Sequence, residues 1–262
     1  MAIEGDHSFF MRPSLRWVFY PFAHHCIPCT NHIIFGTPQE LGGGRINQFP
    51  PRNRRTTVGQ KGKDMKFSII IPAHNSSGFI RHALDSIKSQ VFTDYELIVI
   101  CDSCDDNTEE IAREYGAITE SVDYHCDGLT RNHGLRMAQG DWILFMDDDD
   151  WWLHEYVLTE LARVLHDGID ILCFSFIFKG VGYERPTDNR GSHWIAPWCK
   201  CYKRSAIGDS RFSSATDGTA DILFYTQMFN KGLRVVDWDV LLYYYNFMRA
   251  GSQTERNSRW IS

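Results

Sequence analysis

From Lys66 onward, short apolar runs alternate with amphipathic stretches. Phe67–Ile71 is apolar but for Ser68 and is stopped by Pro72, the pattern of a strand buried on both faces. Ser76 or Ser77 is placed to cap a helix carrying Ile80, Leu84 and Ile87 on one side. Tyr95–Cys101 reads as a second buried strand. Asn107 then caps a helix with Glu109 and Glu110 in its first turn, where the helix dipole favours acids. Asp127 opens a further helix, closed by Gly140. Asp141–Met146 is a strand that runs into Asp147–Asp150, and a helix over 154–166 and a strand over 169–178 follow. This alternation predicts an α/β fold on an open, mostly parallel sheet flanked by helices, with right-handed crossovers. Ligands of such sheets gather at the carboxyl ends of the strands. Three predicted strands end there in polar residues: Ala73-His74-Asn75, Asp102-Ser103 and Asp147–Asp150.

Residues 1–64 keep neither period. They hold Gly42-Gly43-Gly44, Pro50-Pro51 and a basic run from Arg52 to Lys63, and read as a poorly ordered leader or an upstream extension, with Met65 as the functional start. Cys26-x-x-Cys29 beside His24, His25 and His32 is a weak zinc signal without a second well-spaced pair. Trp17–Gln39 lacks charge, but its three prolines and three histidines argue against a spanning helix.

Composition narrows the function classes. A hydrophobic fraction of 43 % with 17 Phe can fill a core, and a net charge of −6 argues against nucleic acid as the main partner. The charge is uneven: residues 1–64 hold 8 Lys/Arg against 4 Asp/Glu, leaving 19 against 29 for the rest. An acidic body that meets an acidic ligand needs a cation between them. Cys101 and Cys173 lie in apolar runs, and Met1–Phe10 lacks the form of a signal peptide. Both point to a reducing, cytoplasmic compartment.

Asp147-Asp148-Asp149-Asp150 is the strongest local signal. Four carboxylates beyond a buried strand repel one another unless solvent or a cation offsets them. A charge run is commonly just solvated surface. Here the anchoring strand Trp142–Met146 and the following Trp151-Trp152 limit solvation. Hard oxygens on a short turn suit Mg²⁺ or Mn²⁺, which also take substrate phosphates as ligands.

Phe67-Ser68-Ile69-Ile70-Ile71-Pro72-Ala73-His74-Asn75 resembles the opening strand of family-2 glycosyltransferases, an inverting group with the GT-A fold. In the same order, Val99–Thr108 resembles the family's second-strand motif, with Cys101 where Asp is usual and Ser103 where Gly is usual. Arg131-Asn132-His133-Gly134 is similar to its Arg-Asn-x-Gly helix, and Phe145–Asp150 to its Asp-x-Asp motif. Trp198–Tyr202 and Tyr245 through Gly251-Ser252 echo later segments, so the resemblance covers about residues 66–252.

The resemblance implies a GT-A domain over 65–262, with a nucleotide-binding half at about 65–150 and an acceptor half at about 151–262. It implies a sugar donor activated by a nucleotide diphosphate, most simply a UDP-sugar, gripped by Pro72, His74, Asn75 and Asp102, with Arg131, Asp147 and Asp148 near its ribose and diphosphate. Asp149 would bind Mn²⁺ or Mg²⁺. Asp221 would be the base for inversion, although Ala220 stands where a Glu is usual and the register alternatively selects Asp217. Trp198 and Tyr202 are candidates for a platform under the acceptor, or for core. The acceptor expected is a glycan or lipid-linked glycan, met in the cytoplasm or at the inner face of the membrane, where the basic leader could dock. A nucleotide-sugar-binding protein without catalysis is the competing reading. A nucleotidyltransferase lacks the Gly-rich, basic loop it would need.

Overall fold

The computed structural model describes residues 66–180, 183–186, 194–216 and 219–247. The leader, its Cys and His residues, Asp217 and Gly251-Ser252 lie outside the described residues. The strands are β1 Phe67–Ala73, β2 Tyr95–Asp102, β3 Ile118–Val122, β4 Trp142–Phe145, β5 Trp151–Trp152, β6 Ile171–Gly180, β7 Tyr183–Pro186, β8 Lys200–Lys203 and β9 Val235–Tyr245. The helices are α1 Ile80–Lys88, α2 Thr108–Glu114, α3 Asp127–Met137, α4 Val157–Val164, α5 Arg204–Ile207 and α6 Thr219–Phe229.

The strands form one sheet in the order β3-β2-β1-β4-β8-β6-β9-β5, with β7 paired to β6. The expected parallel character holds across β3, β2, β1 and β4. Beyond β4 the sheet is mixed: β8 is antiparallel to both β4 and β6, β9 runs parallel to β6, and β5 lies antiparallel to β9. Residue alternation sends β1 side chains to two cores. Phe67, Ile69, Ile71 and Ala73 meet Ile80, Leu84 and Ile87 of α1, Ile111 of α2 and Leu161 of α4. Ile70, with Ile98, Ile143 and Phe145, joins Phe224 and Met228 of α6 on the other face. Each buried aliphatic contributes about 1.5–3 kcal/mol relative to exposure. Among the described residues no helix is long and apolar enough to cross a membrane.

Two predicted caps are corrected. Neither Ser76 nor Ser77 caps α1, which starts after Phe79, because the Ser76 hydroxyl is drawn to Asp148 instead. Asn107 makes no side-chain cap on α2; Asp106 accepts the Thr108 N–H at 3.0 Å in its place. Gly140 lies beyond the end of α3 at Met137, and its N–H meets the Ser68 hydroxyl and the Glu96 carboxylate.

Gly128, in the first turn of α3, is packed so closely that a β-carbon would overlap the Ser213 carbonyl oxygen. Alanine normally favours a helix over glycine by about 1 kcal/mol. Gly128→Ala is nonetheless expected to destabilise by about 1–3 kcal/mol, the usual cost of overpacking. Urea unfolding checks this, and a more stable variant would contradict the close approach.

Candidate active site

The acidic run leaves β4 as a tight turn, with the Asp150 N–H donating to the Asp147 carbonyl at 3.3 Å. A hydroxyl on β9 holds both ends of the turn. Tyr243 Oη accepts the Asp147 N–H at 3.2 Å and donates to Asp150 Oδ2 at 2.7 Å, while the Asn246 N–H donates to Asp150 Oδ1 at 2.8 Å. Asp150 is 0 % exposed. Burial, then the charges of Asp147 and Asp149, pushes its carboxyl well above the usual range, against the two donors. It therefore anchors the turn from inside and neither caps the next helix nor reaches out to a ligand. The chain continues into Trp151, whose ring is stacked between His82 at 4.1 Å and Tyr244 at 4.0 Å. Asp148 accepts the Ser76 hydroxyl and, at 3.4 Å, the His74 N–H, which ties the acidic turn to the loop after β1.

Arg131 of α3 joins the first half of the chain to α6. One guanidinium nitrogen donates to Asp147 Oδ1 at 2.9 Å and the other to Asp221 Oδ1 at 3.4 Å, and the side chain is 7 % exposed. Burial works against the cation, but Asp221, Asp147 and Asp127 outweigh it and hold the guanidinium above its ordinary range. Asp147 feels the same crowding. Burial first, then the Asp149 and Asp221 charges, raises its carboxyl to about 6 despite Arg131. Among the described residues Arg131 Nε, which is buried, has no hydrogen-bond partner. The neighbouring Asn132 explains how the pair of elements meets: its amide donates to the Phe212 carbonyl at 2.8 Å and accepts the Phe212 N–H at 2.9 Å. That double bond of a strand-like kind pins the segment leading to α6, and with it Asp221 in the first turn of that helix.

The residues expected around the base and ribose are arranged differently from one another. Pro72 is buried within β1 opposite Ile100. His74 and Asn75 are exposed beyond the strand end, with His74 Nδ1 donating to the Asp102 carbonyl at 2.7 Å. Asp102 points away from them. Its carboxylate accepts the N–H groups of Tyr124, His125 and Cys126 and the hydroxyls of Thr130 and Ser103, at 2.7–3.0 Å. Burial alone would raise this carboxyl, but those bonds hold it below its usual range. The three N–H groups and the Thr130 hydroxyl fill the roughly four acceptor sites of a carboxylate, and the Ser103 hydroxyl, with one proton, is shared with Asp123 at 2.8 Å. In this structure Asp102 orders the 123–126 loop into α3, the turn-aspartate role. Asn75, Ser103 and His125 surround this rim with φ of 49°, 54° and 49°, a left-handed geometry uncommon for residues with a β-carbon and frequent at functional sites.

Trp198 and Tyr202 do not form a platform. They are 4 % and 2 % exposed. Trp198 stacks on Tyr243 with centroids 4.9 Å apart, and Tyr202 packs edge-on against Phe145 and Phe224. Their faces are used by the two cores, the commoner fate of aromatics. Tyr243 packs its ring in the core, yet its hydroxyl holds the acidic turn. Only the solitary polar atom of a tyrosine opposite four aspartates could have signalled that.

Among the described residues no group of three or more His, Cys, Asp or Glu side chains forms a ready-made metal cage. The donor set nevertheless fits a hard cation that takes one or two carboxylates and completes its shell with phosphate and water. Asp147 and Asp149 are both partly exposed on the same short turn, two residues apart.

Comparison with known proteins sets this arrangement in context. The chain is 25 % identical over 229 residues to the glycosyltransferase GlyA of Streptococcus pneumoniae, a span of 76 % of this chain and 33 % of that protein. The chain thus spans about a third of the length of that relative. Its fold matches the crystal structure of S. aureus TarS 1-349 in complex with UDP-GlcNAc, with a TM-score of 0.65 at 24 % identity, covering 73 % of this chain and 61 % of that one. A mannosyltransferase from Pyrobaculum calidifontis in complex with GDP-Man and Mn²⁺ matches with a TM-score of 0.58 at 16 % identity, covering 71 % and 58 %. The model of the family described as Glycosyl transferase family 2 matches residues 68–233. With its motifs brought together by the GT-A sheet over most of its folded length, the chain belongs to glycosyl transferase family 2.

Proposed function

We propose that this chain transfers a sugar from a nucleotide-diphosphate donor, a UDP-sugar, to a glycan or lipid-linked glycan acceptor with inversion at the anomeric carbon. The observation that carries the proposal is the single buried guanidinium of Arg131 facing Asp147 of the acidic turn and Asp221 of α6. Inversion needs a base on the side opposite the leaving group. Asp221 fits that role: its side chain is 31 % exposed and can receive an acceptor hydroxyl proton. Its link through Arg131 keeps it in register with the donor-side turn. Asp148 orients the His74 loop at the donor's edge. With Asp102 filled by loop donors, the exposed groups at His74 and Asn75 are the better candidates for the base and ribose.

Asp149, with Asp147 beside it, would hold Mn²⁺ or Mg²⁺. The ion, when bound, offsets the charge on the departing nucleotide diphosphate. The UDP-GlcNAc and the GDP-Man with Mn²⁺ held by the two structural neighbours support both the donor class and the ion.

Asp149→Ala is expected to remove the Mn²⁺-dependent part of the UDP-induced rise in melting temperature. Thermal-shift titration of UDP with and without Mn²⁺ reads it directly, and an unchanged metal dependence would rule out Asp149 as the ligand. Asp221→Asn is expected to keep that UDP shift while lowering kcat by about 10²–10⁴, the range for loss of a general base. Radiolabelled sugar transfer to a panel of glycan acceptors measures this. UDP binding without transfer to any acceptor in the unaltered protein would favour a binding protein, the reading that Ala220 keeps open.

A further inference from the structure

Two thiols meet beneath the loop that the donor would touch. Cys101 and Cys104 stand in a Cys-Asp-Ser-Cys run at the end of β2. Cys101 is fully buried opposite Ala73 of β1, and Cys104 is partly buried against the same core. The left-handed turn at Ser103 folds the chain back towards Cys101, so that the Cys104 sulfur lies 3.5 Å from the carbonyl oxygen of Ala73, the residue that pairs with Cys101 between β1 and β2, and both cysteines pack in one core. The same sulfur accepts the Asn75 N–H at 3.3 Å, and Asn75 Oδ1 accepts the Asp105 N–H at 2.9 Å. Cys104 is therefore the support of the loop after β1 at Asn75, while Asp148, Thr108 and Asp106 hold its neighbours His74, Ser76 and Ser77.

We propose that Cys101 and Cys104 form a reversible dithiol–disulfide site whose oxidation releases the Asn75 loop and weakens nucleotide binding. The second part rests on the donor site proposed above. Cys104 is the attacking sulfur. The hydrogen bond from Cys101 pulls its thiol down to about 7, with the Asn75 N–H and His74 helping, and burial and Asp106 opposing. Cys101 is pushed up by its bond to Cys104 and by burial, which suits a resolving thiol. The Cys104 thiolate displaces one thiolate from a small external disulfide such as oxidised glutathione and forms a mixed disulfide. Cys101 then gives up its proton as its sulfur displaces the second thiolate. The external disulfide is reduced to two thiols that take both protons, and the protein gains one disulfide. A sulfur bonded to sulfur accepts a hydrogen bond less well than a thiolate, so the Asn75 N–H loses its support.

The full chain, equilibrated with mixtures of reduced and oxidised glutathione, is quenched with iodoacetamide and cut with trypsin without reduction. Cleavage after Lys88 and Arg113 leaves both thiols on one peptide, separate from Cys26 and Cys29. In oxidising buffer this peptide should escape alkylation and weigh two hydrogens less, reverting with dithiothreitol. Hydrogen exchange over residues 74–78 should rise several-fold, and the melting shift given by UDP with Mn²⁺ should shrink several-fold. Cys104→Ser should abolish all three responses, and Cys101→Ala is the second variant if that one folds poorly. A doubly alkylated peptide in every buffer overturns the proposal, as does oxidation without any change in exchange at 74–78. Absence of a UDP shift in both redox states would instead sink the donor site and leave the exchange result to decide the thiol pair alone.

Discussion

One buried cation governs the layout of this molecule. A guanidinium taken out of water must be paired, and Arg131 finds its partners on two elements far apart in the chain, at Asp147 and Asp221. For that to happen α3, the end of β4 and the start of α6 must converge within a few ångströms. The close features around them serve this convergence. Gly134 lets α3 sit against Ile70, Gly128 admits the Ser213 carbonyl, and Asn132 bonds twice to the backbone of Phe212. The consequence for chemistry is that a candidate base and a candidate cation-binding turn share one electrostatic centre.

The acidic turn is held in an equally constrained way from the other side. Asp150 faces inward to Tyr243 and Asn246, while Asp147 meets Arg131 and Asp148 meets the loop after β1. Burial, then the charges of Asp149 and Asp221, raises Asp147 to about 6 although Arg131 opposes it.

The strands and helices were legible wherever periodicity was strong. β1, β2, α1 and the run into Asp147 follow from apolar patterning, and their boundaries shift by only a few residues. β3, β5 and β8 escaped prediction for physical reasons. β3 is an edge strand with mostly polar, exposed residues, β5 has two residues, and β8 alternates Lys and Cys. At the site, the family resemblance pointed to Arg131, Asp147 and Asp221, which the fold brings together, but not to which of the other acids were structural. Asp102 and Asp150 look like ligands in one dimension. Only the fold reveals that backbone N–H groups and a tyrosine have already claimed them. Trp198 and Tyr202 failed as a platform because an aromatic's choice between core and surface depends on its neighbours across the sheet.

The shared centre is tested most directly by a double-mutant cycle on stability, free of any assumption about substrate. Asp147→Asn and Asp221→Asn each leave Arg131 one hydrogen-bonded carboxylate, whereas the double variant leaves it only the more distant charge of Asp127. Equilibrium urea unfolding should therefore show the double variant losing about 1–3 kcal/mol more than the sum of the single losses. Losses that add to within about 0.5 kcal/mol would mean that the two carboxylates do not share one cation, and would contradict the account.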